Sequence, residues 1–419
     1  MSIFRTYQVR LKPTKAQVIT FEQWLGTCRS VYNMCLEIKK AWYQKRGVNI
    51  SKGELQKQIT DIRRDFSWIR DVQIHTLQDV TDRLFRAYDS FFKRMKERKS
   101  KKKKSKVGFP KFARKNSFRS FGFKSNEAKL HVNINAISLP KIGKVKYHKG
   151  KKCQGKHRVV EGKIIHTRII KKADGWYASI IMELPVKILP APKPINEYVA
   201  NDLGLIHLTV DSNGCKAKAP RFYQNNERKL KILQRSISRK KKGGSNYRKA
   251  VNKISRQHKT ISDSRKDFLH KLSSTMVNEN QVIGFEDLNI AGMIRNNHLS
   301  KSILDAGWGM LVGMTKYKAE WYGRTMVKLN RFYASSKTCS CCGYVISELP
   351  LHIRTWTCSK CGAIHDRDEN SSINLKHETI KAVGHTVSAL ESDINIGNNI
   401  APMVASQDAI KCDMPKNFL

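Results

Sequence analysis

Four cysteines in the last quarter of the chain stand in two C-x-x-C pairs with fifteen residues between the pairs. Each pair can bend around one metal ion, and four thiolates complete a closed tetrahedral Zn²⁺ site that leaves no position open for a substrate. A glycine directly follows each pair, at 343 and 362, which suits a tight turn. The spacing therefore predicts one structural Zn²⁺ ion in a zinc ribbon, bound by Cys339, Cys342, Cys358 and Cys361.

The other cysteines do not indicate a disulfide scaffold. Five of the ten lie between positions 339 and 361 and the rest are scattered singly, which is typical of a metal site. Cys341 has the wrong spacing for this site, and we expect it to point away from the ion. The alternative role for the two pairs, thiol redox chemistry, is disfavoured in a reducing compartment.

Three acidic residues that lie far apart in the sequence stand where predicted strands or helices begin or end. Asp202 lies in an apolar segment, where burial of a carboxylate is costly without a cationic partner. Glu286 follows the apolar run 281–285, and Asp368 lies at the start of a predicted helix. Each has an ordinary explanation: a turn for Asp202, a solvated strand end for Glu286 and a helix N-cap for Asp368.

Together, the three carboxylates provide the donors that metal-dependent phosphodiester hydrolysis requires. Hard oxygen ligands hold two Mg²⁺ ions about 3.5–4 Å apart, one activating water and the other stabilising the leaving oxygen. Three converging carboxylates would repel one another without those ions. We therefore expect Asp202, Glu286 and Asp368 to bind Mg²⁺ and to form a catalytic site that the metal assembles.

The composition requires a polyanionic partner. The chain has 80 Lys and Arg residues and 34 Asp and Glu residues, a formal net charge of +46, and a pI of about 10.1. Because self-repulsion opposes the compact state, this excludes an ordinary metabolic enzyme and favours nucleic acid; a heteroduplex of about 20 base pairs carries roughly 40 phosphates. A membrane surface is the alternative. No apolar run approaches the ~18 residues of a spanning helix and the first residues lack a signal peptide's apolar stretch, so we expect a cytoplasmic protein.

Two segments concentrate the positive charge. The run from Lys93 to Lys106 reads KRMKERKSKKKKSK, and phenylalanines alternate with lysines and arginines directly after it. These phenylalanines are Phe109, Phe112, Phe118, Phe121 and Phe123. Such rings can stack on bases or pack into a β-domain, and the sequence leaves both open. Residues 228–259 form a predicted basic helical hairpin, either a nucleic-acid contact, which the net charge favours, or an exposed hairpin kept soluble by its lysines.

Local signals predict a strand followed by helices in the first hundred residues. Apolar and polar residues alternate over 3–11, which predicts a strand. Capping boxes of Thr14 with Gln17 and of Ser51 with Glu54 predict the starts of two helices, and apolar residues at helical spacing over 77–91 predict another. The helical stripes are interpreted as core packing of a small helical domain.

The pattern becomes β-like from 107 to 189. Its clearest unit is a hairpin over 164–184 with a turn at Asp174-Gly175. A barrel of such strands would carry the helices as an insertion between its first strand and the rest. Four prolines between 185 and 194 then predict a domain linker.

Longer motifs bring these residues into one ordered set. In sequence order they are N-D-L-G-L at 201–205, F-E-D-L-N at 285–289, S-S-K-T-C-S-x-C-G at 335–343, R-T-W-T-C-x-x-C-G at 354–362 and H-D-R-D-x-N at 365–370. The set resembles the TnpB family, the transposon-encoded ancestor of the type V CRISPR nucleases. The resemblance extends from the amino terminus to about residue 377.

The resemblance implies a multidomain α+β fold. A wedge β-barrel (1–12 and 107–190) would contain an inserted helical recognition domain (13–106). An RNase H-like (RuvC) α/β nuclease domain would follow, with its first part at 191–330 including the basic hairpin and its last motif at 364–379. A zinc-finger insertion (331–363) would interrupt it, and 380–419 would be a flexible tail.

The resemblance also implies an activity: RNA-guided cleavage of double-stranded DNA. The guide RNA would derive from the transposon end, and the target duplex would be opened beside a short transposon-adjacent motif in the prokaryotic cytoplasm or nucleoid. Matched position by position, Asp202, Glu286 and Asp368 correspond to the three RuvC carboxylates, and the four paired cysteines to the zinc ligands. No membrane partner is implied, and the sequence does not identify a protein partner.

Two departures from the family pattern accompany these matches. Asn201 precedes the first Asp where the family has an apolar residue, and Ser371 and Ser372 replace small alanines after the last motif. Neither removes a ligand, so we expect a competent site, with slower chemistry left open. Two other functions remain: an RNA-guided repressor without nuclease activity, against which the three carboxylates argue, and a transposase that itself performs strand transfer.

Overall fold

A computed structural model describes residues 3–100, 107–115, 117–124, 127–148, 162–185 and 192–391, without the side chains of 99 and 385–391. The chain divides into two compact units, 1–187 and 188–419, which we describe separately. Part of the predicted basic run, 101–106, and most of the predicted tail, 392–419, lie outside the described residues.

Among its described residues, the first unit contains a long strand, four helices and six further strands. Its helices are α1 (Lys15–Arg46), α2 (Lys52–Asp65), α3 (Ser67–Arg70) and α4 (Ile74–Ser100). Its strands are β1 (Ile3–Lys12), β2 (Ser120–Lys124), β3 (Lys129–His131), β4 (Ala136–Leu139), β5 (Gly143–Tyr147), β6 (Lys163–Lys172) and β7 (Gly175–Leu184).

The predicted helix starts are confirmed. Thr14 accepts a hydrogen bond from the Gln17 backbone N–H while the Gln17 side chain accepts one from the Thr14 N–H, and Ser51 and Glu54 form the same reciprocal pair. Such capping boxes satisfy backbone donors that have no partner within the helix. Helix α1 ends at Gly47, whose φ of 64° favours glycine.

The seven strands form one antiparallel sheet in the order β2-β6-β7-β1-β5-β4-β3. Strand β1 lies in its middle, paired with β7 from Ile3↔Leu184 to Arg10↔Tyr177 and with β5 on its other side. The predicted hairpin is confirmed as β6 and β7. The four helices thus lie in sequence between the central strand and the rest of the sheet.

Aromatic rings pack the helices onto this sheet. Phe21 and Trp24 of α1 contact Phe121, Phe123 and Trp176, with ring centroids 4.9–5.9 Å apart. Burial of one such side chain stabilises the fold by roughly 1.5–3 kcal/mol. These rings therefore belong to the core.

A buried carboxylate at the same helix–sheet interface contacts charged residues on both sides of it. Asp79 of α4 lies 3.2 Å from His166 Nε2 and 3.4 Å from Arg168, both on β6, and 3.6 Å from Arg83 and Arg86 of its own helix. Burial alone would raise the pKa of Asp79. The hydrogen bond from His166 and the charges of Arg168, His166 and Arg83 outweigh burial and lower this pKa to about 2.

The second unit has a central sheet, helices and a small hairpin. Its strands are β8 (Asn196–Asp202), β9 (His207–Asp211), β10 (Lys216–Lys218), β11 (Asn280–Glu286), β12 (Thr325–Leu329), β13 (Thr355–Thr357) and β14 (Ile364–Asp366). Its helices are α5 (Phe222–Ser238), α6 (Ser245–Glu279), α7 (Ile290–Met293), α8 (Ser300–Ala306), α9 (Trp308–Tyr322) and α10 (Arg367–Glu391). The predicted basic hairpin is confirmed as α5 and α6. Helix α10 includes the first residues of the predicted tail.

The central sheet has the order β10-β9-β8-β11-β12. Strands β8, β11 and β12 are parallel, and β9 is antiparallel to both of its neighbours. One face, with Ile283 and Phe285, packs against α6, α8 and α9, whereas the other, with Ala200, packs against Leu375 of α10. The unit is therefore a three-layer α/β arrangement.

Helix α10 approaches the sheet closely at Gly284. A Cβ at this position would lie 3.2 Å from Thr379 Cβ and 3.3 Å from Ala200 Cβ, and would overlap Thr379 Oγ1. Only glycine therefore allows the present distance between α10 and β11.

None of the described helices combines the length and the apolar composition that a membrane-spanning helix needs.

Candidate active site and metal centre

Asp202 and Glu286 lie at the ends of two neighbouring parallel strands. The register of β8 and β11 pairs Ala200 with Gly284 and Asn201 with Phe285, so Asp202 and Glu286 are the next pair. Because side chains alternate along a strand, both carboxylates share the face of Ala200 and Gly284, which α10 covers. The sheet thus brings together two acids that are 84 positions apart in the sequence.

The loop after Asp202 is fixed by glycine and tryptophan. A Cβ at Gly204 would lie 2.7 Å from the His207 carbonyl oxygen, so the backbone passes too closely for any other residue. The Trp308 indole N–H donates to the Gly204 carbonyl at 3.2 Å. These contacts account for the L-G that follows Asp202 and hold the end of β8 in place.

Asp368 lies in the first turn of α10. Its N-cap role is taken by Asp366, whose Oδ1 accepts the backbone N–H groups of Asp368 and Glu369 at 3.0 and 3.1 Å. The Asp368 carboxylate instead contacts Arg354 Nη1 at 3.3 Å. The ordinary explanation of Asp368 as an N-cap is therefore wrong.

Electrostatics connects the three acids. Burial raises the pKa of Asp202 to about 7, and the negative charges of Glu286 and Asp368 add to the rise. Burial also raises the pKa of Glu286, and the charge of Asp287 adds to it. The charges of Glu286 and Asp368 thus both act on the carboxyl group of Asp202.

This group fits a hard divalent cation. It offers only carboxylate oxygens, the ligands that Mg²⁺ prefers, and a bound cation would relieve the repulsion that adds to the effect of burial on the pKa of Asp202. Among the described residues, only cysteine-containing sets of three or more potential ligands have all their atoms within 4.8 Å of one another. The oxygen atoms of the three carboxylates are therefore not all within 4.8 Å of one another.

The four paired cysteines, in contrast, form a compact group. The Sγ atoms of Cys339, Cys342, Cys358 and Cys361 all lie within 4.8 Å of one another. Two of the separations, Cys339 to Cys361 and Cys342 to Cys358, are 3.6 Å. Tetrahedral Zn–S bonds of about 2.3 Å require about 3.8 Å between sulfurs, so the group fits Zn²⁺.

The two halves of this centre have the same backbone geometry. The Gly343 N–H donates to the Cys339 carbonyl and the Gly362 N–H to the Cys358 carbonyl, each at 2.9 Å. Both glycines have φ of 73°, in the left-handed region. The prediction that glycine serves a tight turn after each C-x-x-C pair is confirmed.

His365 and Cys341 extend the cysteine group. His365 is buried, and its Nε2 lies 3.0 Å from Cys339 Sγ. Cys341 is exposed and does not belong to the set of four, as expected, but its sulfur lies within 4.8 Å of both Cys339 Sγ and a ring nitrogen of His365. No role was predicted for His365 from the sequence. The available signal was its position two residues after the predicted zinc-finger insertion, 331–363.

Two asparagines on α10 join the cysteine centre to the carboxylate site. Asn370 donates to the Thr338 carbonyl at 2.7 Å and accepts from the Ser340 N–H at 2.9 Å. Asn374, one turn later, donates to the carbonyls of Ser335 and Thr338 at 2.9 and 2.6 Å. Asparagines at i and i+4 on a buried helix face were the sequence signal for this connection.

The departures from the family pattern have structural explanations in two of three cases. Ser371 and Ser372 are fully buried; Ser371 donates to Ser335 Oγ at 2.9 Å and Ser372 to the Glu369 carbonyl at 2.7 Å. Asn201 is also buried, on the sheet face away from Asp202, and its Nδ2 has no hydrogen-bond partner among the described residues. Nothing in the structure explains Asn201.

Three family descriptions match the chain: "Helix-turn-helix domain" at 1–48, "Probable transposase" (OrfB of IS605) at 179–297 and "Cas12f1-like, TNB domain" at 308–375. A protein of Streptomyces pristinaespiralis named "Putative RNA-guided DNA endonuclease" is 32% identical over 377 residues, covering 88% of each chain. The chain belongs to the TnpB family.

Other relatives agree with this membership. The Escherichia coli K12 protein "Putative RNA-guided DNA endonuclease InsQ" is 26% identical over 414 residues, covering 95% of this TnpB chain and 96% of its own. In a cryo-EM structure of a Cas12f1–sgRNA–target DNA complex, Cas12f1 aligns with a TM-score of 0.53 at 12% identity, covering 90% of this chain and 99% of that one. The latter likeness concerns the fold alone. In the present structure, the residues matched as a helix-turn-helix form β1 and one long helix, α1.

Proposed function

We propose that this TnpB protein is an RNA-guided, metal-dependent endonuclease of double-stranded DNA with a RuvC-type site of Asp202, Glu286 and Asp368. One observation carries the proposal: the register of β8 and β11 places Asp202 beside Glu286, and the charges of Glu286 and Asp368 add to the rise of the Asp202 pKa, to about 7, that burial mainly causes. Acids so placed repel one another, and groups whose pKa is raised by burial and by like charges are frequent at functional sites.

The arrangement of the second unit supports the RuvC assignment. Its mixed sheet has one antiparallel neighbour next to β8, parallel strands on the other side and helices on both faces, as an RNase H-like domain would. The acids lie where β8 and β11 end and α10 begins. We extend the proposal to the wedge β-barrel at 1–12 and 107–190 with its helical insertion, and to the domain bounds predicted above.

The proposed chemistry is hydrolysis of a phosphodiester. When bound, two Mg²⁺ ions supply an activated water and stabilise the charge on the leaving oxygen. The carboxylates of Asp202, Glu286 and Asp368 would hold the ions and must be ionised to do so. Arg354, which contacts Asp368 at 3.3 Å, would have to release that carboxylate.

The cysteine centre would position one of the acids. Asp368 follows Cys361 by seven residues, and Asn370 and Asn374 tie α10 to the segment that carries Cys339. A structural Zn²⁺ ion would therefore fix the start of α10.

The proposed partners are a guide RNA from the transposon end and a target duplex with an adjacent motif, in the cytoplasm or nucleoid. The net charge of +46 and the exposed cations of α5 and α6 provide the phosphate contacts. Relatives named as RNA-guided DNA endonucleases support this choice.

Purification of the full chain with its RNA tests the proposal. The co-purifying RNA is sequenced, its guide is replaced, and plasmids with or without the new target are incubated with Mg²⁺. We expect matched plasmids alone to be cut, with unjoined ends. Absence of a bound RNA would contradict guidance, binding without cutting would favour a repressor, and joined ends would favour a transposase.

A further inference from the structure

Two of the five phenylalanines that alternate with cations remain at the surface. Phe118, Phe121 and Phe123 are buried in the first unit, whereas Phe109 and Phe112 are 41% and 49% exposed. Phe92 of α4, 47% exposed, lies in the same ring cluster because Phe91 contacts both Phe92 and Phe109 at 5.2 Å. We call Phe92, Phe109, Phe112 and Lys40 the aromatic platform.

The platform is held rigidly from below. Asn33 of α1 accepts the Ala113 N–H at 2.7 Å and donates to the Ala113 carbonyl at 3.2 Å, as a neighbouring strand would. The Phe109 ring meets Tyr88 edge to face, with centroids 5.4 Å apart. The segment that carries Phe109 and Phe112 is thus attached to α1 through Ala113 and to α4 through Phe109, which lowers the cost of ordering it when a ligand binds.

A cation lies on the rings. Lys40 Nζ is 4.7 Å from the Phe112 centroid and 5.4 Å from the Phe109 centroid. Lys111, between them in sequence, and Arg114 and Lys115, just beyond, are surface cations. The Lys40 ammonium on the ring faces adds to the attraction between these rings and an electron-rich ring of a ligand. The neighbouring cations can contact a phosphate backbone.

We propose that the aromatic platform stacks an unpaired base of the guide RNA. The inference rests on the proposed function, which supplies an RNA that stays bound to the protein. Bases in a duplex already stack on their neighbours, so exposed rings select unpaired ones. Charge complementarity selects nucleic acid over a protein partner, because cations surround the rings in a chain of net charge +46.

Binding of short RNA by the full chain, after the co-purified RNA has been removed, tests this proposal at high salt, where the phosphate contribution is small. The probes are labelled single-stranded oligoribonucleotides of about 12 nucleotides, with bases or fully abasic. Phe112→Ala removes the most exposed platform ring, and Phe112→Trp keeps an aromatic face. Phe66→Ala, which removes a similarly exposed ring (46%) outside the platform, is the matched control.

We expect Phe112→Ala to weaken binding of the base-bearing RNA by about 5- to 150-fold and to leave binding of the abasic RNA unchanged. Phe112→Trp should bind the base-bearing RNA at least as tightly as the unchanged protein does. Phe66→Ala should bind both probes with the affinity of the unchanged protein. Thermal unfolding should shift for Phe112→Ala about as little as for Phe66→Ala, since the two rings are similarly exposed.

Equal weakening on both probes, or none on either, would overturn the proposal. So would a Phe112→Ala effect on single-stranded DNA with none on RNA. The assay requires neither a guide nor cleavage, so its outcome is separate from that of the proposed nuclease. If guided cleavage failed, a base-dependent effect would still support the platform; if cleavage succeeded without that effect, only the platform would be wrong.

Discussion

The carboxylate of Asp366 accepts the backbone N–H of Asp368 at 3.0 Å and so caps helix α10. This contact separates the functions of two acids that the sequence places side by side. The N–H of Glu369 and the ammonium of Lys216 also hold Asp366 ionised, and they lower its pKa in spite of burial. Asp368 is left with its side chain directed at Arg354 and close to Asp202.

The first prediction concerns the replacement of Asp366 and of Asp368 by alanine, one at a time. Asp366→Ala should lower the free energy of unfolding by about 1 kcal/mol, the usual cost of losing an N-cap, and retain DNA cleavage. Asp368→Ala should abolish cleavage with little change in stability, because its ion pair with half-exposed Arg354 is weak. Denaturant unfolding and a cleavage assay on the same preparations check both. The reverse pattern would contradict the assignment.

Zinc content gives the second prediction. The unchanged protein should contain about one Zn²⁺ per chain by elemental analysis. Cys358→Ser should lose the ion, unfold at lower temperature and fail to cleave DNA, because the start of α10 loses its support. Cys341→Ser is the matched control and should keep the ion. Zinc-free protein with intact cleavage would rule out the proposed coupling.

The third prediction concerns the contact between α10 and the sheet. Gly284→Ala forces Thr379 away from β11 and should destabilise the protein by about 1–3 kcal/mol, as overpacking does. Gly313→Ala, on an open position of α9 with nothing within 4 Å, should instead stabilise it by about 0.5–1 kcal/mol. Urea unfolding compares the two. Equal effects would show that α10 is not closely packed at Gly284.

Acid unfolding gives the fourth prediction. The pKa of Asp79 falls from 3.8 to about 2 on folding, so its ionised form stabilises the protein above pH 4, and this stabilisation is lost as the pH falls through 2. The shift corresponds to about 2 kcal/mol. Asp79→Asn should therefore be less stable at pH 7 and lose less stability between pH 4 and pH 2.

Asp61→Asn, at an exposed acid of the same unit, is the control for Asp79 and should follow the unchanged protein across this pH range. An Asp79→Asn protein that loses stability as steeply as the unchanged one would contradict the buried ion cluster.

Sequence predicted the elements that local signals define. The capping boxes at Thr14 and Ser51, the alternation in β1 and the turn at Gly175 act within a few residues, so each could be found without knowing the fold. The C-x-x-C pairs are equally local. The three carboxylates could be chosen only by their chemistry and by family resemblance; the register of β8 and β11 then accounts for the proximity of Asp202 and Glu286.

The remaining features depend on contacts between distant residues. Asp79 meets its His166 partner across 87 positions, and Asn33 meets Ala113 across 80. The division of the five phenylalanines into core and surface rings depends on such contacts too, because Phe121 and Phe123 of β2 pack against α1, whereas Phe109 and Phe112 lie outside the strands and stay exposed.

Cleavage and binding by Asp202→Ala in complex with its guide RNA give the most direct test, with Asp287→Asn as the control at a partly exposed acid beside Glu286. We expect Asp202→Ala to bind matched duplex DNA as tightly as the unchanged protein and to cut none of it. Asp287→Asn should both bind and cut this DNA. Cleavage by Asp202→Ala at the rate of the unchanged protein would contradict the proposed active site.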